Sequence, residues 1–165
     1  MRGARLPCSS SEKTSTASPS PSPRPSPTPI AVVTPGCAQT PALEGGRPDW
    51  LEAAGAHNNP KSVPYAIAKP AIAAGFLFGY PLRSGNPQDP ANKILWVVGM
   101  PRNGSPLTIA VHPATATSPT LTMSVAPDSG PGEIYPSIVD VPSPGCWYFD
   151  LRWDGHEAGL QLYYR

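Results

Sequence analysis

Charge is scarce in this sequence and almost balanced. Only 14% of the residues are Asp, Glu, Lys or Arg and the formal net charge is +1, so bulk electrostatics points to no nucleic-acid partner. Long apolar runs are missing too. A membrane-crossing helix takes about 20 apolar residues; the run Ile30 to Cys37 (IAVVTPGC) is far shorter, and no transmembrane segment is expected anywhere. No G-x-S-x-G is present to mark a hydrolase serine. Nor is there a C-x-x-C, His-x-His or H-x-x-x-H spacing, and cysteine and histidine are each limited to three residues. The expectation is a non-catalytic protein with no cofactor and no metal.

Proline is what the sequence has in excess. There are 25 prolines, ten of them in the first 48 residues. From Ser18 to Pro29 the chain reads SPSPSPRPSPTP. Every second residue there has a fixed φ and lacks an N–H, which excludes both helix and sheet ladder. In polyproline II geometry those 12 residues span roughly 37 Å, at about 3.1 Å each. Residues 1–36 are therefore expected to be a disordered tail acting as a Pro/Ser-rich tether, with a single folded domain over 37–165.

From there on the pattern has period two. Seven short apolar, β-forming runs follow: 71–80, 93–100, 106–112, 120–126, 132–139, 146–153 and 158–164. Alternation gives the core as Leu107, Ile109 and Val111, then Leu121, Met123 and Val125, then Trp147, Phe149, Leu151 and Trp153. Asn103-Gly104 and Asp154-Gly155 have the chemistry of type I′ hairpin turns. The one helical stretch is Asp49 to Ala56 (DWLEAAGA), with Asp49 expected as its cap. The economical fold is all-β: a single antiparallel immunoglobulin-like β-sandwich of seven or eight strands.

Two resemblances carry a location. MRGARLPCSSSEKTSTAS at the start resembles the mature end of a bacterial lipoprotein, in which a lipidated cysteine opens a Ser-rich tether; Cys8 is then the lipidation candidate. A secretory signal takes an apolar run of about 7 to 15 residues, and only Ala4 and Leu6 are available before Cys8, so an ordinary exposed thiol is the alternative. The run YPSIVDVPSPGCWYFDLRWDG (Tyr135 to Gly155), with NKILWVV upstream, resembles a pattern in uncharacterised secreted or lipid-anchored bacterial proteins: P-S-x-V-x-x-P-x-x-G-C-W-x-x-x-L-x-W. The resemblance implies an exported immunoglobulin-like sandwich, extracytoplasmic and reaching the membrane only through a lipid anchor.

With Cys8 set aside, Cys37 and Cys146 remain as a pair. A bridge closing a loop of about 109 residues stabilises by roughly 4 to 5 kcal/mol in the chain-entropy model. The alternatives are a buried free thiol at Cys146 and, less favoured, a nucleophile, which would need a base or cation beside it. Tyr148, Tyr163 and Tyr164 are assigned to an outward binding face on the last hairpin for an envelope protein or a glycan. The competing function is a ligand or metal carrier of the same fold built on His57, His112 and His156.

Overall fold

The last hairpin shows how the sequence sets the architecture. β9 (Gly145–Trp153) and β10 (His156–Tyr164) pair in antiparallel register from His156 opposite Trp153 to Tyr164 opposite Gly145. Asp154 and Gly155 join them with φ of 43° and 75°, the two positive values that a type I′ turn demands. Alternation then sends Trp147, Phe149, Leu151 and Trp153 inward beside Leu160, Leu162 and Tyr164.

The computed structural model describes residues 28–32, 40–56, 59–118, 120–127 and 133–165. Before the hairpin come β1 (Ile30–Val32), β2 (Ala42–Glu44), α1 (Asp49–Ala53), β3 (Tyr65–Ile67), β4 (Ala73–Leu77), β5 (Lys93–Val98), β6 (Leu107–Pro113), β7 (Leu121–Val125) and β8 (Ile134–Ile138). The protein is thus mostly β, and each of the seven expected runs holds a strand. Two antiparallel sheets form, in the orders β1-β2-β3-β4-β5-β8 and β10-β9-β6-β7. β1 falls within the stretch that proline content assigns to the tail.

The sheets share one core. Ala73, Leu77, Ile94, Trp96, Val98 and Tyr135 from the longer sheet meet Leu107, Ile109, Val111, Trp147, Phe149 and Leu151 from the shorter. Trp96 and Trp147 are the largest fully buried side chains; the Trp96 ring lies 5.5 Å from that of Phe149, and its indole N–H donates to Ser137 Oγ at 2.9 Å. Opposite it, across the β4–β5 ladder, stands Gly75, where an added Cβ would lie 2.9 Å from the indole. The missing side chain is what leaves room for the ring against β4.

The longer sheet is buried on its other face as well. Tyr65, Ala74, Phe76 and Val97 pack under Leu51 of α1, which is why every residue of β4 is buried. Asp49 does not cap that helix. Pro48 occupies the cap position without a side-chain bond, and Asp49 is already in the first turn, where its charge suits the helix dipole.

Two more expectations need correction. Arg102-Asn103-Gly104-Ser105 is a turn of the expected kind, with φ of 42° and 79° and a Ser105 N–H to Arg102 carbonyl bond of 2.7 Å. However, it joins β5 to β6, which lie in different sheets, so it is a corner and not a hairpin. Leu121, Met123 and Val125 are only partly buried against the core, because β7 is an edge strand.

Two of the four sheet edges are guarded. Lys69 and Gly159 exchange two backbone hydrogen bonds of 2.7 and 2.9 Å, and Thr40 Oγ1 accepts the Gln161 N–H at 3.1 Å, so β10 is tied to the chain around the longer sheet. On β8, Pro136 has no N–H to offer a foreign strand.

Candidate functional site

While α1 covers the outside of the longer sheet, no helix or strand among the described residues covers the outside of the shorter one. Its residues follow from the register. Those that alternate with the buried set on β6, β9 and β10 line up across the strands as His112, Tyr148 and Gln161; Ala110, Asp150 and Gly159; and Thr108, Arg152 and Glu157. Tyr163 stands opposite Cys146, one step further along. The result is a polar face with two half-buried tyrosines.

Local contacts fix the centre of this face. The Tyr148 phenol lies over Gly159, in the space a side chain would fill, and its ring centroid is 5.5 Å from that of His112. His112 Nδ1 is 2.9 Å from the Pro113 carbonyl and 2.8 Å from that of Ala116. Carbonyls only accept, so Nδ1 carries the proton. That leaves Nε2 toward Asp150 Oδ2, 3.6 Å away, an ion pair only when the ring is doubly protonated. Arg152 and Glu157, 3.8 Å apart, are both well exposed, and such a pair adds little stability. A shallow cavity of about 270 Å³ runs between Lys69, Tyr148, Asp150, Arg152 and Glu157.

Of the three tyrosines assigned to this face, Tyr148 and Tyr163 share it and Tyr164 does not. Successive residues of a strand point to opposite sides, and Tyr164 is fully buried with its ring stacked on Phe149. Its hydroxyl donates to the Val139 carbonyl at 3.0 Å. Burial, with the Asp140 charge adding to it, holds this phenol far above the usual tyrosine range. Burial also raises Tyr65 and Tyr135, against the opposing charges of Arg47 and Arg102.

The two described histidines do not converge. His112 is opposite Tyr148 and His156 opposite Trp153, five residues along β9 or about 17 Å at strand rise. His57 lies outside the described residues. Among the described residues, no group of three or more His, Cys, Asp or Glu is placed to hold a metal ion, and no helix is long and apolar enough to cross a membrane.

Cys146 is the second residue of β9, on the same outer side as Tyr148, and is not without a partner. Cys8 and Cys37, the lipidation candidate and the expected bridge partner, lie outside the described residues. Sequence spacing missed the approach of His112 to Asp150 and of Lys69 to Gly159. Both are products of strand order, and the available signal was only that His112 alternates with Val111. No family model, curated protein or solved structure matches the chain.

Proposed function

We propose that this is a non-catalytic, exported β-sandwich module of immunoglobulin-like connectivity that presents the outer face of its four-stranded sheet to an envelope protein or glycan. The observation that carries the reading is the asymmetry between the sheets. One outer face is apolar and roofed by Leu51 and its helix, whereas the other is polar and tyrosine-bearing, with no helix or strand over it among the described residues. Strand order supports the fold assignment: β4-β5-β8 against β10-β9-β6-β7 corresponds to the A-B-E and G-F-C-C′ arrangement of immunoglobulin-like sandwiches.

A Cys37–Cys146 bridge belongs to this proposal. Cys146 carries no free thiol. Thr40 is hydrogen-bonded to Gln161, whose ladder partner Tyr148 is two residues from Cys146. Three residues back from Thr40, at up to about 3.5 Å each, bring Cys37 within reach. The Pro/Ser tether and a lipid on Cys8 would then display the module outside the cytoplasm.

The test is binding of the full chain to purified cell-wall glycan and to envelope membranes, with a Tyr163→Ala, Arg152→Ala, Glu157→Ala triple variant for comparison. Binding by the parent that the folded variant loses supports the face; equal binding by both refutes it. Cell fractionation that recovers the native protein only in the cytosol would refute the location.

A further inference from the structure

The chain holds five asparagines, at positions 58, 59, 86, 92 and 103. An asparagine deamidates without an enzyme when the backbone nitrogen of the next residue attacks its Cγ. That takes an N–H on the next residue, little steric bulk there, and a side chain that solvent can release from its hydrogen bonds, as it can an exposed one. Asn59 and Asn86 each precede a proline, which has no N–H to react. Asn92 is fully buried, donating to the Arg83 carbonyl at 2.6 Å and to Asp140 Oδ1 at 2.7 Å. Asn58 is followed by Asn59 and not by glycine, so the attacking nitrogen belongs to a residue with a bulkier side chain. Only Asn103 is followed by glycine, and both residues of that pair are exposed at the corner between the sheets.

What makes this position consequential is its partner. Asn103 Nδ2 donates to Asp154 Oδ2 at 2.6 Å, so the β5–β6 corner and the β9–β10 hairpin turn are joined through this one amide. We propose that Asn103 is a built-in site of spontaneous deamidation, and that its conversion releases the corner from the hairpin. The Gly104 nitrogen forms a bond to Asn103 Cγ and gives its proton to solvent. The Cγ–Nδ2 bond breaks and nitrogen leaves as ammonia. Water then opens the five-membered imide at either carbonyl, leaving aspartate or isoaspartate.

Either product replaces a donor by a carboxylate facing Asp154, and attraction becomes repulsion. Isoaspartate also lengthens the backbone inside a turn whose Arg102–Ser105 hydrogen bond is 2.7 Å. The hydrogen bond between the corner and the hairpin turn is lost in both cases.

The experiment is incubation of the folded full chain in mildly alkaline buffer, with peptide mapping by mass spectrometry and enzymatic methylation of isoaspartate. Asn103 should convert at least about tenfold faster than the other four asparagines, a barrier difference of about 1.4 kcal/mol. Conversion at Asn103 no faster than at Asn58 overturns the site. The coupling is read separately. Asn103→Asp should melt below the parent at neutral pH, and the difference should vanish in an Asp154→Asn background. An unchanged melting temperature, or a loss that persists without Asp154, overturns the release.

Discussion

Replacing Tyr164 by phenylalanine removes one oxygen from the centre of the protein, and its effect should reverse sign with pH. At neutral pH the variant loses the bond to the Val139 carbonyl, and that carbonyl is left buried without its donor. The cost is about 1.5 kcal/mol. In the parent, burial and the Asp140 charge keep the phenol protonated in the folded chain well above the usual pKa, whereas in the unfolded chain it ionises near 10. Above that pH the unfolded state sheds a proton that the native state keeps. Parental stability therefore falls by about 1.4 kcal/mol per pH unit from this residue alone. Tyr65 and Tyr135, also raised, act equally in both proteins and cancel from the difference. The two stabilities should meet near pH 11, about one unit above the unfolded pKa, where 1.4 offsets 1.5 kcal/mol. Urea melts of both proteins between neutral pH and this point, taken promptly after transfer, give the curves. Parallel alkaline limbs would refute the reasoning, as would a variant at least as stable as the parent at neutral pH.

Three further outcomes can be checked by the same melts. Gly75→Ala drives a methyl into the Trp96 ring and against Ile94, and should cost about 1 to 3 kcal/mol with a changed near-ultraviolet tryptophan signal. Asn92→Ala takes two donors and one acceptor from partly buried partners at Arg83 and Asp140, and should cost about 3 kcal/mol, among the largest single-site losses. Cys146→Ser should lower stability by about 4 kcal/mol in oxidising buffer and far less in reducing buffer if Cys37 is its partner; equal losses in both would speak against the pairing.

Much of the β framework was legible because alternation over five or more residues is a strong signal. Trp147 to Trp153 shows it best, with every second residue buried. β1, β2 and β3 escaped notice because three residues cannot establish a period, and their formation depends on a neighbouring strand to pair with. Asn103-Gly104 was legible as a turn but not as a corner, since backbone φ is local whereas sheet membership is not. Tyr164 was misplaced for a different reason. It follows Leu160 and Leu162 in phase, and sharing an outward face with adjacent Tyr163 is forbidden by the pleat. The open face itself was half legible: Tyr148 and Tyr163 follow from phase, but Lys69 arrives from a remote segment through its bridge to Gly159.

That bridge has a consequence for crowding. Antiparallel proteins packed side by side aggregate when one sheet edge finds another. Here β10 is occupied at Gly159 and Gln161, β8 is interrupted by Pro136, and β1 offers three residues. Among the described residues, β7 is the remaining edge of any length without a strand partner on its outer side. Copies held at high local density would therefore resist fusing into a continuous sheet, and any lateral association between them would run through Leu121–Val125.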